Sequence, residues 1–544
     1  MNRRQDAVRL IRAVDADPYG DVAPSVYETA RVAALAPWLA GQTERIQFLL
    51  NCQRPDGGWG PVSAHALVPT LAAVEAAFTV LLRCDPLPKA LRGRLGAAAG
   101  AGLGALRDMR GGPRPDTAAV ELIVPDLVER INELLLGSGP ADLGRCPHLG
   151  PWYRGGGIAV PPGYDASLPG RLGQQIAAAD TVPDKLHHTF EALLRHCPDT
   201  IDPAPGPDGL LGSSPAATAA WLTRATDGTA RRAAVTALGK AVGRYHGLCP
   251  NTVPITTYER LWVLAALLPQ GLPPECLPTA RIWLTSVADP GGVRGAPGLI
   301  PDADDTAMAV YTSILLGQEP DPAPLTQFEN GTRYNCYPGE DTGSVTANAH
   351  VLRALGSCVR ARPTLAAVLA PGIAKTRSYL LDRQLPDGSW TDKWHASPYY
   401  ATASCALALG AFGDTAAAQP AVNAALTWVR GTQRDDGSWG MWHGTAEETA
   451  YALQMLLHAG HAPAMADTGR ALDRARDYLD GPGKNTVHYP PALWQDKDLY
   501  APRAMIMAQL LAATARLPPR YRNTGERRCR DNQRTQFQTG GWPT

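Results

Sequence analysis

The chain alternates between apolar stretches of helical length and short breaks rich in Gly and Pro. Residues 258–268, 308–316, 401–409, 445–458 and 502–513 carry dense Ala, Leu and Met, and each is long enough for a buried helix. The breaks between such runs repeat. Gln53-Arg-Pro-Asp-Gly-Gly-Trp59, Gln384-Leu-Pro-Asp-Gly-Ser-Trp390 and Gln433-Arg-Asp-Asp-Gly-Ser-Trp439 share one Gln-to-Trp spacing, and Gln536 to Trp542 keeps it. Worn copies stand at 289–293 and 480–483. A period of roughly 50 residues with helices between the turns predicts an all-α helical array. The turn chemistry has a mechanism. Asp-Gly supplies a left-handed backbone position, Gln ties the turn to a helix end, and Trp packs between repeats. Trp390 and Trp439 are therefore expected to brace the fold.

Pro- and Gly-rich joints fall at 111–115, 150–170 and 203–215, and a further Pro cluster at 249–254 precedes the 258–268 run. A domain boundary is expected there. A chain of 544 residues has room for three or four average domains, or fewer large ones.

Composition narrows the function. Lys plus Arg and Asp plus Glu both count 51, so the net charge is zero, which argues against a nucleic-acid binder. Ten cysteines lie without a CxxC pair or metal-ligand spacing, as in a reduced cytoplasmic protein. The N-terminal segment has no signal-type apolar core, and no run of 18 uninterrupted apolar residues predicts a membrane span. Phe is scarce at 6, whereas Trp at 13 and Tyr at 17 supply π faces with polar handles, suited to a pocket that holds cations.

Candidate chemistry concentrates at Asp302-Ala-Asp304-Asp305-Thr-Ala307. Three carboxylates in four positions cannot all ionise cheaply, so at least one should hold its proton near neutral pH. A protonated carboxyl beside hydrogen-bonding partners is a Brønsted acid, here one expected to protonate a carbon–carbon double bond. The same residues would also cap the helix that follows.

Together, Asp-x-Asp-Asp-Thr-Ala and the Gln/Trp turns resemble the class II terpene cyclases, the protonation-initiated family that includes squalene–hopene cyclases and plant copalyl diphosphate synthases. Other segments fit in order. Val26-Tyr-Glu-Thr-Ala-Arg-Val-Ala33 is similar to the family's Tyr-Asp-Thr-Ala-Trp segment, with Arg31 in place of Trp. Val120-Glu-Leu-Ile-Val-Pro125 is similar to Phe-Glu-x-x-x-Pro, and Leu186-His-His-Thr-Phe-Glu191 to Leu-His-Ser-Leu-Glu. Ser213 to Thr218, Pro250 to Pro254, Tyr258 to Trp262 and Ser344 to His350 also match.

The resemblance implies two α/α-barrel domains with the site between them. Residues 1–25 would form the first helix of a β domain, 26–250 an inserted γ domain, and 251–544 the rest of the β domain. It implies Asp304 as general acid, with Asp302 and Asp305 positioning it and Asn348 and His350 as candidate neighbours. Trp262, Trp394, Tyr400, Trp494 and Tyr500 are the candidate cation-facing aromatics. His188 and Asn251 fall where plant ent-copalyl enzymes hold a terminating water, which a neutral imidazole and an amide could orient; His187 is not given this role. That pair leans toward the ent series. Lys393 sits where the family binds diphosphate, and Arg171 is a second candidate cation. The acidic Mg2+ run of the plant enzymes is broken here at Arg107-Asp-Met-Arg-Gly-Gly112; Asp116 and Glu121 could replace it as ligands that meet Mg2+ through the substrate phosphates.

A class I metal motif is absent from the sequence, so the diphosphate should survive. The expected reaction is cyclisation of geranylgeranyl diphosphate to a bicyclic copalyl-type diphosphate. Farnesyl diphosphate to drimenyl diphosphate is the alternative. A protein prenyltransferase β-like barrel would need a zinc site of Asp, Cys and His. A non-catalytic helical-repeat scaffold would explain the turns but not the acidic tetrad. A small-molecule substrate is the expected partner, with no nucleic acid and no membrane insertion; a homodimer is left open.

Overall fold

A computed structural model describes residues 3–17, 19–61, 63–83, 87–109, 114–137, 157–225, 228–272, 276–458 and 465–518. The repeat at Gln536–Trp542 and parts of the joints at 111–115 and 150–170 lie outside them, as do the last three residues of the Arg107–Gly112 run. Helices dominate. Among the described residues the strands are two short antiparallel hairpins, Glu329–Asn330 with Arg333–Tyr334 and Trp494–Gln495 with Leu499–Tyr500.

Buried side chains form two large cores. One runs from Tyr27 to Val253. The other joins Ile11 and Val14 to residues between Leu261 and Ala513, and a smaller cluster around Ala303, Phe328 and Val351 lies beneath the acidic tetrad. Helix Arg3–Ala16 packs on helices Thr256–Leu267 and Arg503–Ala515, so it belongs to the second core despite preceding the first in sequence.

The three complete Gln/Trp turns use one clamp. Gln53 Nε2 donates to Gly57 O and to Ala98 O in helix Lys89–Asp108, both at 2.9 Å. Gln384 bridges Gly388 O and Ala421 O, and Gln433 bridges Gly437 O and Ala471 O, at the same length. The indole N–H groups of Trp59, Trp390 and Trp439 donate back to Leu49 O, Leu380 O and Val429 O. Their backbone N–H groups donate to Thr70, Thr402 and Thr449. The Gln thus reaches a carbonyl within the neighbouring helix rather than a helix end. Gly388 shows why the turn needs glycine: its φ is +94°, and a Cβ there would lie 2.6 Å from Ala424 O.

Asp289–Val293 keeps the clamp without the indole. Val293 N–H donates to Thr306 Oγ1 at 2.9 Å, and Gln327 supplies the amide to Gly291 O. The threonine of the acidic tetrad is therefore a repeat-closing threonine. A further copy was hidden in sequence: Gly209 at φ +83° and Leu211 N–H on Thr218 Oγ1 at 2.9 Å put Leu211 in the place of Trp. At 480–483, residues 481 and 482 merely separate helices Met465–Asp480 and Gly483–His488.

Ala64–Leu82 is long and apolar enough to cross a membrane, yet 83% of its most apolar window is buried inside the protein. Its helix Leu67–Leu82 packs against helices Val26–Leu35, Lys89–Asp108 and Val120–Gly137, which accounts for its apolar character all round.

Candidate active site

Asp302 caps helix Ala303–Leu315, with its Oδ1 accepting Asp305 N–H at 2.7 Å. The backbone N–H of Ala303 donates to Cys336 O, and Thr306 Oγ1 donates to Asp302 O at 2.5 Å. These bonds fix the first helical turn and aim its carboxyls. Asp304 keeps 15% side-chain exposure, and its Oδ1 lies 2.5 Å from His350 Nδ1 on helix Val345–Ala361. Burial raises the Asp302 carboxyl to about 7, against hydrogen bonds from Asp305 that favour its charge. Burial, then the Asp302 charge, pushes Asp305 well above the carboxylate range. Burial and mutual repulsion thus hold Asp302 and Asp305, the carboxyls on either side of Asp304, toward the protonated form. Asn348 does not join them: its amide ties Tyr334 N–H and O to Ser344 O.

Rings extend from His350. Trp262 meets it edge-on at 5.6 Å, Trp262 Nε1–H donates to Tyr400 Oη at 3.0 Å, and Tyr400 lies 4.7 Å from Trp494. Tyr258 packs on Trp262 at 4.6 Å and receives the Tyr500 hydroxyl at 3.3 Å. Trp262, Tyr400, Trp494 and Tyr500 thus meet in one aromatic cage, joined by Tyr258, His395 and Tyr451, which sequence reasoning missed. Trp394 stands apart, donating to Cys336 Sγ at 3.2 Å.

Lys393 is 9% exposed. Its ammonium pairs with Glu340 and reaches Thr342 Oγ1 at 3.2 Å. Burial pulls its pKa down, but its interactions with Cys336 and with the Glu340 carboxylate outweigh that and raise it. Asp392 holds the surrounding backbone by accepting from the hydroxyls of Ser344 and Thr346 and from the backbone N–H groups of Val345, Thr346 and Trp394. The structure does not bring Arg171 here: it is a surface residue, paired with Asp165 at 2.6 Å. Asp116 and Glu121 are both exposed; the charge of Asp116 acts on Lys393 and that of Glu121 on Tyr164. They face different groups, and among the described residues no three His, Cys, Asp or Glu side chains gather as a metal site. The pair does not fit a preformed Mg2+ chelate.

His188 and Asn251 are brought to one place by the tip of the Trp494–Tyr500 hairpin. His188 Nε2 faces Asp496 Oδ1 at 3.1 Å and its Nδ1 faces Gly212 O at 2.7 Å. Both partners are acceptors, so both ring nitrogens donate and the ring is an imidazolium. Burial opposes the charge, and Asp496 outweighs burial, raising the pKa above 6.5. The expected neutral imidazole is thereby corrected. Asn251 donates to Asp498 Oδ1 at 2.6 Å, while its own Oδ1 is buried without a protein partner. Between the two acids, Lys497 is fully buried and reaches Glu28 at 2.6 Å, Glu191 at 2.9 Å and Ser214 at 2.8 Å. The hairpin of the second core is keyed into the first by charge.

A carboxylic acid backed by an imidazole, at the edge of a cage of buried rings, is equipment for starting and sheltering a carbocation. Residues 340–474 match the family model for the squalene-hopene cyclase C-terminal domain. The chain is 49% identical to a copalyl diphosphate synthase of Streptomyces cyslabdanicus, over 95% of this chain and 96% of that protein. It is 46% identical to a labda-7,13-dienyl diphosphate synthase of Streptomyces clavuligerus, over 94% and 93%. The solved ent-copalyl diphosphate synthase of Streptomyces platensis superposes with a TM-score of 0.86 at 40% identity, covering 95% of this chain and 99% of that one. The chain belongs to the class II terpene cyclases, and it is an enzyme of the α/α-barrel fold. The scaffold and prenyltransferase readings are set aside.

Proposed function

We propose that the enzyme cyclises geranylgeranyl diphosphate to a bicyclic copalyl-type diphosphate without ionising the diphosphate. The Asp304–His350 contact at the edge of the aromatic cage carries this reading. Full-length relatives named for copalyl and labdadienyl products support the twenty-carbon substrate over farnesyl diphosphate. Asp304 gives its proton to the terminal alkene, and a donated hydrogen bond from His350 stabilises the carboxylate left behind. The new tertiary cation is attacked by successive internal double bonds, closing two rings. The bicyclic cation then loses one proton, so substrate and product are isomers.

We assign Asn251 the holding of the water that removes this proton, because its buried Oδ1 lacks a protein partner. His188, charged by Asp496, positions that corner rather than accepting the proton. Lys393 is the proposed diphosphate contact, exchanging Glu340 for a phosphate oxygen. Asp116, whose charge reaches Lys393, is the carboxylate that would meet a Mg2+ ion brought in on the substrate phosphates. The two cores support a γ domain over 26–250 inserted after the first β-domain helix of 1–25, with 251–544 completing the β domain.

Purified protein incubated separately with geranylgeranyl and farnesyl diphosphate plus Mg2+, then treated with phosphatase, tests the reading by mass analysis of the alcohols. A bicyclic C20 alcohol that appears only after phosphatase supports it. Turnover of farnesyl diphosphate alone replaces the substrate, and release of hydrocarbon without phosphatase contradicts the mechanism.

A further inference from the structure

Glu447 sits on helix Ala446–His458 and is 1% exposed. Its Oε1 receives three donors from the cage: Trp494 Nε1–H at 2.8 Å, Tyr451 O–H at 3.0 Å and His395 Nε2 at 3.3 Å. His395 Nδ1 accepts Ser397 N–H at 3.1 Å, closer than Ser397 O at 3.3 Å, which assigns the ring proton to Nε2 and makes that nitrogen the donor. Three donors converging on one oxygen is the surrounding of an anionic carboxylate. The other oxygen, Oε2, is buried with no hydrogen-bond partner. Among the described residues, no Lys or Arg forms a salt bridge with Glu447.

Its neighbour shows the contrast. Glu448 uses its carboxylate as a brace, accepting from Ser397 Oγ at 2.5 Å, Met441 N–H at 2.8 Å and Thr445 Oγ1 at 2.8 Å. Glu447 braces no backbone in this way, and its partners are the cage rings themselves. A buried carboxylate without a fixed cation is costly, unless the site supplies positive charge at some stage.

We propose that Glu447 is the counter-charge of the cation cage, acting as a positioning residue through Trp494, Tyr451 and His395. The inference rests on the cyclase reading and deepens it. Rings that donate to an anion present more electron-rich faces, and the charge also acts directly through the low-dielectric interior. Asp304 touches His350 at one end of the ring series; Glu447 touches His395, Tyr451 and Trp494 at the other. Glu447 therefore acts on the bicyclic cation, after ring closure, and takes no part in the initial protonation.

The test compares full-length wild type, Glu447→Gln and Glu447→Asp. Two inhibitors are titrated: a diphosphate-bearing bicyclic analogue with an ammonium nitrogen at the cationic carbon, and its neutral carbon isostere. In Glu447→Gln the preference for the ammonium analogue falls roughly tenfold, kcat falls by a similar factor, and KM stays near wild type. Its products shift among bicyclic species, toward water-captured alcohols and alkenes formed by loss of a different proton from the same bicyclic cation. Glu447→Asp, which keeps the charge, retains most of the preference. An unchanged preference in Glu447→Gln overturns the inference. Equal losses in the Gln and Asp variants, tracking a common fall in Tm, also overturn it, because packing rather than charge would then be at work. Wild type that cyclises while Glu447→Gln matches it defeats this inference alone; wild type that does not cyclise geranylgeranyl diphosphate defeats the functional reading beneath it as well.

Discussion

Asp304 and His350 come from separate helices, and their side chains meet at 2.5 Å because Ala303–Leu315 packs along Val345–Ala361. The contact leaves one Asp304 oxygen for the substrate and gives the departing proton's carboxylate a hydrogen-bonded partner. Replacing His350 by Phe removes that partner while keeping a ring against Trp262. A charge-assisted hydrogen bond contributes about 1.5–3 kcal/mol, so kcat should fall roughly 10- to 100-fold. Steady-state kinetics with geranylgeranyl diphosphate checks this, and an unchanged kcat would remove His350 from the acid site.

The flanking carboxyls set a pH dependence. Burial raises Asp302 to about 7. Once Asp302 is ionised, proton transfer from Asp304 leaves two adjacent carboxylates, so kcat should decline as pH rises through about 7. Asn at 302 still caps the helix but does not titrate. The sign for stability follows from the same shift. A carboxyl raised above its unfolded value of ~3.9 contributes stability that is fully present below that value and lost as pH rises through about 7. Asp302→Asn should therefore gain stability relative to wild type across that window, and its alkaline decline in kcat should flatten. Paired unfolding and pH–rate measurements test both signs.

Lys497 links the cores through two buried carboxylates. Removing it as Lys497→Met strands Glu28 and Glu191, at a cost of about 3–5 kcal/mol. Burial already raises Glu28 to about 7, and loss of Lys497 removes the strongest group opposing that rise. Protonation of Glu28 then relieves part of the penalty, so the destabilisation should be larger at pH 8 than at pH 6. Denaturant unfolding at the two pH values measures it. Equal stability of variant and wild type would show that the hairpin does not depend on its charge.

How much of this was legible in the sequence divides along chain distance. The Gln/Trp turns were readable because Gln, Gly and Trp act within a few residues of one another, and the acidic tetrad because its three acids are adjacent. The copy ending at Leu211 escaped because Leu replaces the indole while Gly209 and Thr218 keep the backbone pattern. The hairpin key escaped because Lys497 meets partners hundreds of residues away, and nothing local in Asp496-Lys-Asp498 reveals them. Arg171 shows the converse: a cation in a suggestive segment has a local surface partner in Asp165. The charge state of His188 could not be read either, since it depends on Asp496 across 308 positions.

Lys393 is held by Glu340 at the proposed diphosphate end. Lys393→Ala should raise KM for geranylgeranyl diphosphate about tenfold or more, with a smaller effect on kcat, since this contact is made in ground and transition states alike. An effect on kcat alone would place Lys393 at the reacting end instead.

The most direct test of the central claim is cyclisation in deuterium oxide by wild type and by Asp304→Asn, with the position of the label read by NMR after phosphatase treatment. Wild type should place one deuterium on the ring carbon next to the gem-dimethyl carbon, and Asp304→Asn should form no bicyclic product while keeping the wild-type fold. A labelled bicyclic product from Asp304→Asn at the wild-type rate would contradict Asp304 as the acid.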